Sequence, residues 1–584
     1  MFFNSLDNPF TKSFKSTGSG FIRFPAFFLI PLFNMPDILL IQPPIQDFYL
    51  TAKRTFPYGL ACMAATLRQA GFSVEILDAL AVNRSRIIPW PAEMAYLKAF
   101  YEPADASAFR LFNRFRHYGY SFEHIGKNAR ASGAFLVGIS SLFTAYSGQA
   151  LETARIVKAF HPNCKVVVGG HHPTALPRET LDEPAVDFII RGEGEISLPL
   201  LARALQTGQP ADGIPGVGLR AFDGSLRISP PAFVADLETI PPPALDLVNR
   251  NFYRRKDFAA VVVTSRGCPM QCSYCSMGAD SPLPYRKRSV DSVAKEIENA
   301  VQRFGARFID FEDENLSLDR KEFISLLGAI QTRFGHLNPE LRAMNGLFPP
   351  SLDDETICAM KQAGFRALNL SLGTRDSDQL KRFNRADVRN SFENALNLAE
   401  KYGLEAVGYI IAGAPGQQAE TSISDLLYLA GKRVLAGVSV FYPAPGSADF
   451  KHLEQSGALP ASFCLMRSSA LPSNDPARRM EAVTLLRMGR ILNFIKKQID
   501  DGEKIPEPSP YSESVSKKIS DSNRTLLSWF LKDGRIRGMT PDGSLFEHAV
   551  CHRLTELFIN GLMSQEIRGC RSADFTRIGG KITP

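Results

Sequence analysis

Short apolar runs alternate with amphipathic stretches along most of this chain. From Asp37 onward, DILLIQ (37–42), SVEILD (73–78), FLVGIS (135–140), KVVVGG (165–170) and VDFIIRG (186–192) are rich in β-branched residues and read as strands. Between them, GLACMAATLRQAGF (59–72) and GQALETARIVKAF (148–160) space their apolar positions at helical intervals. Strands alternating with helices predict a doubly wound parallel sheet with right-handed crossovers. In such sheets ligands bind beyond the C-terminal strand ends. Those ends read PP, SS and GGHHP. Residues 81–134, rich in Phe, Tyr and Arg, predict a helical insertion capping that face.

A second alternating series starts at Ala259. Its strands are expected near 259–264, 307–312, 341–345, 366–372, 405–412 and 436–441, with helices such as 289–304, 352–363 and 390–402 between them. Six such units predict a partial (β/α)6 barrel rather than the full eight. After FYPAPGS (441–447) the pattern changes, and the rest reads as helical with a polar break at DGEKIPEPSPYSES (501–514). The proline-rich ETIPPPALD (238–246) reads as a linker. The predicted division is an extension over 1–34, a doubly wound domain over 35–237 with the insertion at 81–134, a linker over 238–254, a barrel over 255–450 and a helical C-terminal region over 451–584. No internal repeat is visible.

Composition narrows the class. A length of 584 residues, 45% hydrophobic and 22% charged, suits several globular domains. The net charge of +7 is small for this length, and no dense Lys/Arg run points to nucleic acid. Nine cysteines are too few for a secreted disulfide scaffold. FIRFPAFFLIPLF (21–33) is apolar, but Arg23, Pro25 and Pro31 interrupt it and it is too short to span a bilayer. Met35 opens MPDILLIQPP as a clean domain start. With no other spanning candidate, the expectation is a cytoplasmic protein without a transmembrane segment.

SRGCPMQCSYC (265–275) packs Cys268, Cys272 and Cys275 into one loop just after the first strand of the second series. A structural zinc site wants four N/S ligands, usually in two pairs, and no histidine lies nearby. A disulfide would leave one thiol over. A ferredoxin run has two-residue gaps and supplies a fourth cysteine. A cubane cluster held by three thiolates fits better, because its fourth iron stays free for a ligand.

The spacing Cys-x3-Cys-x2-Cys, with Tyr274 before the last cysteine, resembles the radical S-adenosylmethionine (SAM) superfamily. The resemblance implies a [4Fe-4S] cluster on Cys268, Cys272 and Cys275, whose open iron chelates SAM and whose reduction yields a 5′-deoxyadenosyl radical. FIDFEDENLSLD (308–319) resembles the family's second-strand end, where Asp313, Glu314 and Asn315 would meet the SAM ammonium. SLGTRDSDQLKRFNR (371–385) resembles the fourth-strand segment and brings in Ser371 and Arg385. Arg385 has two readings, a partner of the SAM carboxylate or a surface arginine. Thr374 and Arg375 stand where the family often has a ribose-binding Glu. GYIIAGAPGQ (408–417) resembles the fifth-strand motif that packs on adenine, which implicates Ile411.

The N-terminal series resembles the cobalamin-binding domain of one radical SAM branch, through LIQPP (40–44), FPYGLACMAATLRQAGF (56–72), VGISS (137–141), VVVGGHHPTALP (166–177) and VDFIIRGEGE (186–195). Pro44, Ser140, Ser141, Gly169, Gly170, His171 and His172 would then line the corrin face, where small residues let a macrocycle approach the backbone. No Asp-x-His-x-x-Gly supplies a cobalt-binding histidine. His171 and His172 are therefore read as corrin-edge or loop residues, with cobalt ligation as the alternative. RGEGE reads as a structural turn and helix entry. The resemblance implies a cobalamin-dependent methyltransferase acting on an unactivated carbon, with cyclisation or oxidation by the same branch, or cofactor binding without catalysis, as alternatives. It also implies a small-molecule, lipid or peptide substrate and an electron donor such as flavodoxin or ferredoxin. Substrate specificity is expected from 81–134 and 451–584.

Overall fold

The computed structural model describes residues 35–50, 56–253, 258–278, 281, 283–513 and 519–571; the extension expected over 1–34 lies outside them. Five parallel strands, Ile38–Gln42, Val74–Asp78, Leu136–Ser140, Lys165–Gly169 and Phe188–Ile190, form the N-terminal sheet in the order second, first, third, fourth, fifth. An antiparallel hairpin, Val217–Arg220 and Leu226–Ile228, extends its edge. The apolar run ILLI explains why the sheet is covered on both faces. Leu39 and Ile41 pack with Ile125, Ala129, Ala150 and Val157 of helices Phe122–Ser132 and Ser147–Phe160. Ile38 and Leu40 face the other way, onto Leu60, Leu67, Leu198 and Leu201 of helices Tyr58–Gln69 and Gly194–Thr207. Each fully buried Leu or Ile contributes about 1.5–3 kcal/mol. The order reverses between the first and third strands, so their C-terminal ends open a crevice.

The insertion expected to be helical over 81–134 is only partly so. Its strands Ser85–Ile87 and Arg116–Tyr118 join Ile45–Asp47 in a small antiparallel sheet. A 3-10 stretch, Ala92–Ala99, lies between them. Helix Phe122–Ser132 belongs to the regular helical layer of the N-terminal sheet, where Ser121 caps it and Gly133 ends it in the left-handed region. The aromatic residues that made the segment look like a cap form a ring cluster instead: Phe48, Trp90, Tyr101, Phe112 and Phe115 pack edge to face.

The barrel strands are Phe258–Val262, Ala306–Phe311, Glu340–Ala343, Ala367–Gly373, Glu405–Ala412 and Leu435–Val440. They form two three-stranded parallel sheets, bridged at Leu341–Phe365 and Leu347–Leu370. Leu368, Leu370 and Leu372 point outward to the helices, whereas Asn369 and Ser371 alternate with them toward the lumen. The predicted boundary at 450 also moves. Helix Pro476–Asp500 packs on the outside of the sixth strand, where a Cβ on Gly489 would meet Val438 Cγ2 at 2.7 Å. It thus serves as the barrel's sixth helix rather than as part of a separate C-terminal region. The C-terminal region adds a hairpin, Arg537–Met539 with Leu545–Glu547, to its helices. The segment expected as a linker is anchored: Ala244 N–H donates to Ala61 O at 3.0 Å, and Tyr253 Oη donates to Asp78 at 2.5 Å. Among the described residues no helix is long and apolar enough to cross a membrane.

Candidate functional site

The cysteine loop has a two-residue stem. Ser265–Arg266 pairs antiparallel with Arg286–Lys287. Gly267 follows at φ +81°, and a Cβ there would lie 2.4 Å from Pro284 O, so only glycine lets the strand turn. The loop then folds back tightly, for a Cβ on Gly278 would meet Cys272 O at 2.3 Å. Cys268, Cys272 and Cys275 are half-buried free thiols. Burial pushes Cys275 up to about 11, and negative charge on Cys272 and Cys268 acts in the same direction, so the three share one space. Among the described residues no three His, Cys, Asp or Glu side chains are placed to hold a single metal ion. Three thiols around a shared space, with no fourth cysteine beside them among the described residues, suit a cube better than a structural zinc site closed by four N/S ligands.

Beside this loop the barrel mouth gathers polar side chains. Asp313 is almost wholly buried and accepts from Thr264 N–H at 3.0 Å, Thr264 Oγ1 at 2.6 Å, and Ser265 N–H and Oγ at 2.6 Å each. This corrects its expected place on the mouth: its carboxylate ties the second strand's end to the start of the cysteine loop. Burial nonetheless outweighs these donors and holds its carboxyl above the usual range. Glu314 lies beside Cys268 and Cys275, and burial pushes it up to about 7. Asn315 Oδ1 is buried without a hydrogen-bond partner.

Arg385 is not a surface arginine. Its Nη1 donates to Tyr274 Oη at 2.7 Å and its Nη2 to Ser371 O at 2.6 Å, while its Nε is buried without a partner. Gly373 makes room for it: a Cβ there would come within 3.0 Å of Arg385 Nε. The Tyr274 ring meets Phe383 edge-on at 4.9 Å. Where the ribose-binding Glu is missing, buried Asp425 accepts from Thr374 Oγ1 at 2.7 Å and Arg375 N–H at 2.8 Å and fixes the turn. Ile411 faces the lumen on the fifth strand, and its carbonyl accepts from Gln417 Nε2 at 2.9 Å. Unpartnered buried polar atoms are uncommon in folded proteins. Asn315 Oδ1 and Arg385 Nε fit a zwitterionic ligand with an ammonium and a carboxylate, the groups SAM carries.

The N-terminal strand ends differ in kind. Gly170, at φ +124°, would bring a Cβ to 2.5 Å from Ser141 O, so two backbone turns touch there. Ser140 and Gly169 are half-buried, and Ser141 Oγ is buried without a partner. His171 is exposed. His172 is turned into the protein: its Nδ1 lies 3.3 Å from Thr144 Oγ1, its ring meets Phe463 edge-on, and burial drives it down to about 4. Pro44 is also buried, packed against the space of Gly119, which corrects its expected place on the open face. The side-chain-free surface around Gly169 and Gly170, with one orphan hydroxyl, fits a broad ligand such as a corrin.

Two features were not foreseen. First, residues 441–471 connect both faces. Asp449 N–H donates to Ser273 O at 2.9 Å, and Gly446 sits against Ala175. Arg467, almost wholly buried, donates to Gln46 O and Ala145 O at 3.0 Å each and pairs with Asp47 at 3.3 Å. Second, RGEGE reaches across to the cysteine-loop stem. Arg286 Nη2 meets Glu193 Oε1 at 2.7 Å, and Arg266 Nη2 meets Glu195 Oε1 at 2.7 Å. Removing one partner of such a buried pair costs about 3–5 kcal/mol. The available signal was a pair of acidic residues in one motif and an arginine in the other, each without a local partner.

Comparison with known proteins agrees with this geometry. The B12 binding domain model matches residues 91–202, and the Radical SAM superfamily model matches residues 262–426. An uncharacterized methyltransferase of Pyrococcus horikoshii is 26% identical over 388 residues, covering 66% of this chain and 75% of that protein. The cytidylyl-2-hydroxyethylphosphonate methyltransferase of Streptomyces wedmorensis is 24% identical over 411 residues, covering 65% of this chain and 73% of that protein. In fold, the chain is similar to the radical SAM methyltransferase TsrM from Kitasatospora setae, solved with tryptophan substrate and a SAM analog. The TM-score is 0.57 at 17% identity, over 84% of this chain and 94% of that one. With its thiol trio at the mouth of a partial barrel and a B12-binding sheet ahead of it, this protein is an enzyme that joins a B12 binding domain to a radical SAM domain.

Proposed function

We propose that the protein is a cobalamin-dependent methyltransferase that modifies an unactivated carbon of a small molecule. The observation that carries this reading is the segment 441–471, which touches the cysteine loop at Ser273 and the sheet's strand ends at Ala175, Gln46 and Ala145. A substrate held under that segment would lie between the two faces, and methyl transfer needs both reagents at one carbon. The names of two relatives and one structural neighbour as methyltransferases support the same class. When bound, the reduced cluster and SAM supply a hydrogen-abstracting radical and the corrinoid supplies a methyl group.

The chain's own residues bind and orient. Cys268, Cys272 and Cys275 hold the cluster and Tyr274 backs it. Glu314 and Asn315 receive the SAM ammonium, Arg385 its carboxylate, with Ser371 holding Arg385 and Ile411 packing on adenine. Ser140, Ser141, Gly169, Gly170 and His171 line the corrin face. Electrons come from an external donor such as flavodoxin or ferredoxin, in the cytoplasm. The test is anaerobic reconstitution with iron, sulfide and hydroxocobalamin, then reduction with SAM in a small-molecule extract. A cluster band, bound corrin and a product heavier by one methylene are expected. A product of other mass points to cyclisation or oxidation; no 5′-deoxyadenosine means a binding protein without catalysis.

A further inference from the structure

The stem of the cysteine loop carries an electrostatic conflict. Its register sets Arg266 directly opposite Arg286, and like charges facing each other across an antiparallel pair oppose pairing. The stem has only two residue pairs, extended on its barrel side by Arg288 N–H donating to Thr264 O at 2.9 Å, so no ladder beyond Arg266 and Arg286 offsets their repulsion on the side of the cysteines. Both guanidiniums are neutralised from the other domain. Glu193 accepts from Arg286 Nη1 at 2.9 Å and Nη2 at 2.7 Å, a two-pronged contact, and its Oε2 also lies 3.6 Å from Arg266. Glu195 accepts from Arg266 Nη2 at 2.7 Å. All four side chains are largely removed from water, with exposures of 21% for Arg266, 10% for Arg286, 8% for Glu193 and 5% for Glu195. A two-pronged arginine–carboxylate contact fixes direction as well as distance. The turn that delivers the carboxylates depends on Gly192, at φ +79°, where a Cβ would lie 2.1 Å from Ala232 O. Val234 N–H, donating to Glu193 at 2.7 Å, aims the side chain.

We infer that Glu193 and Glu195 are positioning residues for the cluster: carboxylates of the corrinoid domain close the stem from which Cys268 starts, and so set the distance between the two cofactors. The inference rests on the functional reading above. It explains why two acidic residues enter the helix Gly194–Thr207 beside the barrel and not beside the corrin face.

The test uses the full chain loaded with cluster and corrinoid. Pulsed dipolar EPR between the reduced cluster and cob(II)alamin should give one narrow distance. E193Q/E195Q, which leaves the arginines facing each other, is expected to bind iron and hydroxocobalamin as before but to lose that narrow distance. Adding R266Q and R286Q removes the repulsion and is expected to restore it, an outcome that a generally weakened fold would not show. A wild-type distance in E193Q/E195Q overturns the inference, as does a four-fold variant that remains broad or fails to fold. If E193Q/E195Q does not fold, the four-fold variant alone decides. Should the wild type take up no cluster or no corrin, the functional reading fails, and amide exchange at 265–267 and 286–288 in the cofactor-free variants reads the stem instead. Faster exchange in the double variant and its reversal in the four-fold variant are expected, and unchanged exchange overturns the inference.

Discussion

The two strand-end faces of this molecule solve opposite problems. The barrel mouth crowds polar side chains around a loop of thiols, and leaves Asn315 Oδ1 and Arg385 Nε buried and unpartnered. The N-terminal face removes side chains, down to a turn where Gly170 touches the backbone of Ser141. On the proposed function, one face binds through donor chemistry and the other through shape. Sites of the first kind announce themselves in sequence by reactive residue types. Sites of the second kind show only as small residues at strand ends, a much weaker signal.

If the faces are separable in this way, damage to one should spare the other. The largest effect is expected from C268A, C272A or C275A. Each removes one corner of the cluster and should abolish the cluster band and 5′-deoxyadenosine formation, while hydroxocobalamin uptake stays at the wild-type level. A common loss of both would break the comparison. G170A acts on the other face. A side chain in that left-handed turn costs about 1–3 kcal/mol, so corrin affinity should fall about 5- to 150-fold, with the cluster spectrum unchanged. Equilibrium dialysis against hydroxocobalamin measures it.

A smaller effect concerns Glu314. Burial holds its carboxyl at about 7 against an ordinary 4.5. Ionised Glu314 therefore destabilises the ligand-free protein above pH 7, and the penalty is relieved as pH falls from 7 toward 4.5. A cation placed beside it favours the ionised form, so SAM binding should release a proton in that window and weaken as pH drops through it. E314Q should bind SAM about tenfold less tightly and lose the pH dependence, which calorimetry in two buffers of different ionisation enthalpy can read. The smallest effect is expected at His172. Its ring is held by Thr144 and Phe463 and stays neutral above pH 5. H172A should leave the absorption spectrum of the bound corrinoid unchanged; a shifted spectrum would place that ring on cobalt.

The sequence made the layered parts of the fold legible, because a strand buried on both faces is an unbroken apolar run and cannot be mistaken for its neighbours. ILLI and VVVG are such runs. It misled at 81–134, where three-residue strands are too short to show alternation and aromatic residues pack with each other. The role of helix Pro476–Asp500 was hidden for another reason: which sheet a helix covers is a tertiary fact. At the mouth, the acidic stretch was legible, yet Asp313 and Glu314 are adjacent and only the strand end decides which one turns inward. Arg385 was resolved by its contacts with Tyr274 and Ser371, more than ten residues away in sequence. The Glu193–Arg286 pair spans 93 residues, and local patterns carry no record of it.

The central claim is that three thiolates hold a cube whose remaining corner receives SAM. The direct measurement is Mössbauer spectroscopy of the reconstituted protein, enriched in iron-57, before and after addition of SAM. One iron in four changing its environment on SAM addition is the predicted result. Four irons indifferent to SAM, or zinc in place of iron, would contradict it.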